Sequence, residues 1–200
     1  MQSQQLLIEL ARVYDFERAN LNLAMPDVRH FARGWLSIDL SSYLATLLKH
    51  KITGFGEPYQ QSETYYHHEP KNNTIKKCEK RKASKADLLL SGNEVEEQRH
   101  YFEYHYLHYE HLVGSKHRQK LYSDVERVRA MRKHLKQTQV TLIVAYWGTV
   151  SGLELDFLKP LDNNRNAAFA LDSGIAGSSQ VSRIMHVQKN GQPRLILMAI

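Results

Sequence analysis

The chain holds a single cysteine, Cys78, among its 200 residues. No internal disulfide framework can staple it, and a reducing cytoplasm is the expected setting. Cys78 lies in a lysine-rich, strand-like segment and, as an isolated cysteine, is not taken as a nucleophile. No apolar run approaches the ~20 residues needed to span a bilayer. The start, Met1-Gln-Ser-Gln-Gln5, lacks the basic, apolar and small-residue order of a signal peptide. Internal repeats and long low-complexity tracts are absent. Neither the glycine pattern of a phosphate-binding loop nor that of a dinucleotide fold occurs, and Ser173-Gly-Ile-Ala-Gly177 has the wrong spacing and context. There is no Gly-x-Ser-x-Gly nucleophile elbow. Phosphate-loop, dinucleotide-fold and nucleophile-elbow motifs therefore have no foothold here.

What is present fits one compact domain with a real core, spanning residues 1–200. Residues 1–58 read as a mainly helical part, 59–147 as a core sheet and helix, and 148–200 as loops and a terminal hairpin. The net charge is +6, and its distribution matters more than its size. Lys71, Lys76, Lys77, Lys80, Arg81, Lys82 and Lys85 crowd into fifteen residues opposed only by Glu79. Lys116, Arg118, Lys120, Arg127, Arg129, Arg132, Lys133 and Lys136 form a second series on a predicted helix. Such clusters attract phosphate backbones and release counterions on binding. As solvated surface either cluster alone would be unremarked; the two together turn the reading toward nucleic acid.

Leu6, Leu7, Leu10, Val13 and Tyr14 carry a helical period over residues 3–19. Pro26-Asp27 opens a new element, with Asp27 placed to cap it. From Val28 to His50 the apolar spacing predicts one or two helices, with Gly34 as the break, and Gly54 to Pro58 closes the region. Thr64 to His68 and Thr74 to Arg81 flank Pro70-Lys-Asn-Asn73 as a predicted hairpin. Residues 86–90 and 101–107 read as strands, and 115–137 as a helix through Leu121, Val125, Val128, Met131 and Leu135. Val140 to Trp147 reads as a buried strand by length and β-branching. Residues 183–188 and 193–198 surround Asn190-Gly191, a hairpin turn signal. This order predicts an α/β or α+β sandwich around one mixed sheet; α/β is the class taken forward.

Chemistry concentrates on two of these strands. Asp87 opens the first, and Glu103 and His105 share one face of the second, because alternate strand side chains point to opposite faces. Phe102, Tyr104 and Tyr106 take the other face, where they read as sheet cover. Two carboxylates and a basic side chain on adjoining strands suit a Mg²⁺ or Mn²⁺ ion that activates water against a phosphodiester. His105, His108 and His111 recur every third residue with Glu103 and Glu110 nearby, but a three-histidine zinc site would require the strand to change structure near Leu107.

A helix, a hairpin, a strand bearing Asp, a strand bearing Glu-x-basic, a long basic helix and a buried strand together resemble the PD-(D/E)XK nuclease superfamily. The matching pieces are Asp87-Leu-Leu-Leu90, Phe102-Glu-Tyr-His105, and Leu121 to Val128 leading to Leu142-Ile-Val-Ala145. The layout covers residues 30–147. The resemblance implies a restriction-endonuclease-like mixed sheet flanked by helices, with the C-terminal β-hairpin following it. It also implies Asp87 and Glu103 as ligands of Mg²⁺ or Mn²⁺, with the Tyr104 carbonyl beside them. His105 stands at the family's lysine position and Ala86 at its proline. A lysine supplies a permanent positive charge, whereas a histidine, titrating near neutrality, serves as a general base or a third ligand. Asp39 and Glu57 are alternatives for the acid that many members carry on an earlier helix.

The expectation is therefore a divalent-metal-dependent nuclease in the cytoplasm, acting on DNA because the resembled superfamily mostly does. Lys82, Lys85, Lys116 and Lys120 are its candidate backbone contacts, and a homodimer would suit double-strand cleavage. The rival is a catalytically inactive nuclease-like module that binds nucleic acid or a protein partner in a larger complex. A third alternative is an assembly subunit whose basic surface meets an acidic protein.

Overall fold

The structure, a computed structural model, describes all residues except 1, 60–63, 68–69, 72–73, 76–78, 83–84, 93–98, 114, 136–137 and 163–165. Cys78, Lys76 and Lys77 thus lie outside the described residues. The chain begins with helices α1 (Ser3–Val13), α2 (Phe16–Ala24), α3 (Pro26–Arg29) and α4 (Ala32–Leu48). Strands β1 (Lys51–Phe55), β2 (Thr64–His67), β3 (Pro70–Lys71), β4 (Thr74–Ile75) and β5 (Glu79–Lys82) follow. Next come β6 (Leu88–Ser91), β7 (Arg99–His108), α5 (Ser115–His134), β8 (Thr138–Val150) and α6 (Gly152–Leu158). The chain closes with β9 (Phe169–Asp172), β10 (Val181–Arg183) and β11 (Asn190–Ala199).

The fold is mixed α/β. Seven strands form one sheet in the order β1-β6-β7-β8-β11-β9-β10, flanked by helices. Only β7 and β8 pair in parallel, with α5 as their crossover; the other neighbours in this sheet are antiparallel. Alternation along β8 sends Leu142, Val144 and Tyr146 into one core, with Leu121, Val125, Val128 and Met131 of α5. Ile143, Ala145 and Trp147 enter the other, with Leu6, Leu7 and Leu10 of α1 and Leu36, Leu40 and Leu44 of α4. Both faces are covered, which explains why β8 reads as a continuous apolar run. β2 and β5 pair outside the main sheet, and β2 lies against α5.

Several local expectations are corrected. The N-terminal helical period breaks at Asp15, whose carboxylate accepts the Arg18 N–H at 2.9 Å and caps a separate α2. Asp27 does not cap: Pro26 opens α3 and Asp27 lies within its first turn. Gly34 sits inside α4 without interrupting it. The region after α4 continues into edge strand β1, whose side chains are mostly exposed and so show no alternation. A C-terminal hairpin is present, but β9 and β10 form it. Asn190-Gly191 instead opens β11, which enters the sheet between β8 and β9, while residues 184–186 form a 3₁₀ turn. Asp172 and Arg194 join β9 to β11 in a buried two-pronged ion pair, with Nη2 at 2.7 Å from Oδ2. At Gly174 an added Cβ would meet Arg194 Cδ at 2.4 Å, so only glycine fits.

Lys49 ends α4 in the left-handed region, at φ 54°, where its N–H and that of His50 close the last turn. Glycine adopts that conformation without the Cβ penalty. Lys49→Gly is therefore expected to raise stability by up to about 1 kcal/mol, read as a higher urea midpoint. A lower midpoint would mean that the lysine side chain stabilises the turn. Among the described residues no helix is long and apolar enough to cross a membrane, as the lack of long apolar runs predicts.

Candidate functional site

Glu103 and His105 do share a face of β7, and α5 covers it. Both are buried, at 5% and 7% exposure. The Arg127 guanidinium grips both Glu103 oxygens in a two-pronged ion pair, and the Tyr59 hydroxyl donates to Glu103 Oε1 at 2.6 Å. Arg127 Nη2 also donates to Asp124 Oδ1 at 3.1 Å, and Asp124 Oδ2 lies 3.0 Å from His105 Nδ1. A continuous chain of contacts thus runs Tyr59, Glu103, Arg127, Asp124, His105. Burial would raise the Asp124 pKa, but hydrogen bonds from His105 and Arg127 outweigh it and hold the carboxyl below its usual range. Burial and the adjacent Glu103 push the Tyr59 hydroxyl up, so it stays a donor.

Two polar side chains of β7 buried beneath a helix require partners, and α5 supplies them one turn apart. Asp124 follows Leu121 by three residues, on the stripe that carries Val125 and Val128 into the core. That placement was the legible signal, an acid inside an apolar stripe opposite a strand that presents Glu-x-His. The sequence reading missed Asp124, Arg127 and Tyr59 as members of the site.

Asp87 is held elsewhere. Leu88 is the register partner of Phe102, yet the Asp87 N–H also bonds the Phe102 carbonyl, at 3.0 Å. Asp87 immediately precedes β6, and that bond fixes its backbone against β7. Asp87 Oδ2 accepts the Tyr104 N–H at 2.7 Å, and Oδ1 pairs with Arg33 Nη2 of α4, also at 2.7 Å. Arg33 Nε donates to the Tyr104 carbonyl at 3.0 Å.

The divalent-ion expectation can be tested on this donor set. The three groups named as ligands are the Asp87 and Glu103 carboxylates and the Tyr104 carbonyl. Each accepts a bond from an arginine. A hard cation seeks oxygen ligands and anionic charge, whereas here Arg33 and Arg127 already balance both acids. As arranged, the residues do not fit a bound divalent ion. Among the described residues no group of three or more His, Cys, Asp or Glu side chains is disposed to hold a metal. The histidine series divides as strand alternation requires. His108 faces the opposite layer from His105, its Nε2 3.2 Å from Arg29 Nη1 and its ring stacked on Trp147. The His111 side chain is outside the described residues.

The earlier acids have structural partners. Asp39 accepts from the Tyr14 hydroxyl and from Arg18 Nη2, both at 2.7 Å, and so joins α1, α2 and α4. Glu57 packs over Gly54, where an added Cβ would come within 2.3 Å of its Oε1. Of the candidate backbone contacts, Lys116 and Lys120 are exposed on the first half of α5. Lys85 is exposed and bridges to Pro58. Lys82 ends β5, with its side chain outside the described residues.

Compared with protein-family models, with curated proteins and with solved structures, the chain matches none.

Proposed function

We propose that this chain is a nuclease-like α/β module that binds nucleic acid without metal-dependent cleavage. The observation carrying this reading is Glu103, a buried motif acid held by Arg127 and Tyr59. The order α4, β1, β6, β7, α5, β8 supports the resemblance to the PD-(D/E)XK superfamily, and DNA is preferred to RNA on that resemblance alone. Exposed Lys116 and Lys120, with Lys85 and the net charge of +6, supply the cationic surface a phosphate backbone attracts. A cytoplasmic setting accords with the single cysteine.

One observation favours the second reading, a Mg²⁺- or Mn²⁺-dependent nuclease. Asp124 engages His105 Nδ1, and Nε2 has no hydrogen-bond partner among the described residues. A histidine oriented by a carboxylate through one ring nitrogen can accept a proton on the other. On that reading Arg33 and Arg127 would have to leave the acids.

Plasmid, single-stranded DNA and RNA, incubated with Mg²⁺, Mn²⁺ or EDTA beside Glu103→Ala, separate the two. Metal-dependent cutting that vanishes in the variant would establish the second reading. The first predicts no cutting, together with salt-sensitive binding. Lys116→Glu combined with Lys120→Glu should then weaken binding at least tenfold and reduce the salt slope by about 2. Binding absent at low salt would reject the first reading and leave an acidic protein as the partner to seek.

A further inference from the structure

We propose that the outward face of α4 is the contact through which two copies of this chain pair across a two-fold axis. A surface helix sets polar residues against water, opposite its buried stripe. α4 buries Ala32, Leu36, Leu40 and Leu44 in the core, yet its opposite side is apolar too. Phe31, immediately before α4, is 74% exposed, and Ile38 is 66% exposed. Between them Gly34 is exposed, and an added Cβ there would meet nothing within 4 Å. The two charged residues of α4 do not relieve this surface, because Arg33 is bonded to Asp87, and Asp39 to Tyr14 and Arg18. Large apolar side chains gathered on one exposed face mark an interaction surface.

A second copy is the occupant that the spacing selects. Gly34 and Ser42 lie four residues either side of Ile38, Phe31 and Ala45 seven, and Asp27 and Lys49 eleven. Steps of three and four keep these positions on one helix face. Only the turn at His30 and Phe31 separates Asp27, in α3, from α4. Two α4 helices crossing antiparallel at Ile38 therefore set Phe31 of each against Ala45 of the other, and Gly34 against Ser42. Bulky side chains meet small ones, as a self-complementary two-fold contact requires. The ends match in charge. Asp27 and Lys49 are exposed, have no ion-pair partner among the described residues, and meet as opposite charges at both ends of the crossing. An unrelated partner would need none of this symmetry. One helix pair covers less than the ~800 Å² per partner of a standard interface, so the dimer is weak and reversible. α5, with Lys116 and Lys120, lies across the sheet from α4 and stays uncovered.

The test is sedimentation velocity on the nucleic-acid-free chain across a dilution series. The wild-type chain should pass from dimer to monomer on dilution. Ile38→Glu sets two carboxylates together on the axis and should leave monomer at every concentration. Gly34→Gln should weaken the dimer by about tenfold or more, because the new side chain overfills the contact. It should leave the monomer folded, since its Cβ meets nothing within its own chain and glutamine favours a helix over glycine. Asp27→Lys should weaken the dimer several-fold, and adding Lys49→Asp should restore it. Circular dichroism and urea unfolding check that each variant is folded. A wild-type chain that stays monomeric throughout would overturn the proposal. So would a dimer that survives both Ile38→Glu and Gly34→Gln, or a charge exchange that restores nothing. Nucleic-acid binding is read separately, so failure of either proposal is distinguishable from failure of the other.

Discussion

Arg127→Leu should destabilise the chain by about 3–5 kcal/mol, the cost of leaving one member of a buried ion pair without the other. Glu103 is 5% exposed and accepts from both prongs of Arg127. The Tyr59 hydroxyl is its remaining donor and brings no charge. Asp124 loses a partner in the same substitution. The loss should be far smaller when the carboxylate leaves with the arginine, because apolar side chains of similar size often replace a buried pair without penalty. Glu103→Leu with Arg127→Leu leaves the Tyr59 hydroxyl without its acceptor, worth about 1–3 kcal/mol. Adding Tyr59→Phe removes that residue of cost. Equilibrium urea unfolding of the single, double and triple variants measures the series. A single variant costing under about 1 kcal/mol, the range of exposed pairs, would show that Arg127 does not hold Glu103. The carboxylate would then be free for other chemistry, and the metal-dependent reading would gain.

Between pH 7 and pH 5 His100 should remove about 2 kcal/mol of stability, at about 1.4 kcal/mol per pH unit below its unfolded pKa. It is buried at the start of β7, 4% exposed, stacked on Phe102 and joined through Nε2 to Thr141 Oγ1 at 2.9 Å. Burial first, and nearby positive charge including Arg132, lower its pKa to about 3. The folded chain therefore keeps this ring neutral while the unfolded chain protonates it below about 6.5. Stability is full above that value and falls as the pH drops toward 3, where the folded ring also titrates. Urea unfolding at pH 7, 6 and 5 should give His100→Gln a flatter dependence than the wild-type chain by this amount. Equal slopes would mean that the unfolded and folded states protonate His100 alike.

The features legible in the sequence were those with local causes. The alternation Phe102, Glu103, Tyr104, His105 follows from the period-two geometry of any strand, and it put Glu103 and His105 on one face before any partner was known. The period of Leu121, Val125, Val128 and Met131 likewise identified α5 and its inward side. β8 was legible because burial on both faces demands an unbroken apolar run. Features set by distant partners were hidden. β1 is an exposed edge strand whose identity depends on β6 beside it. Asn190-Gly191 has strong turn chemistry, yet pairing of β11 with β8 and β9 prevailed over it.

The site divides the same way. Its acids and histidine could be named from sequence because residue type and strand register are local properties. Their partners could not, since Arg33 lies 54 positions from Asp87 and Tyr59 lies 44 from Glu103. The sequence by itself determined that Glu103 and His105 face together, but not that Asp87 is held apart from them against α4. Only the tertiary structure decided what neutralises them, because a carboxylate's state depends on the charges folding brings within hydrogen-bond reach, and nothing local specifies whether that charge is a metal ion or an arginine.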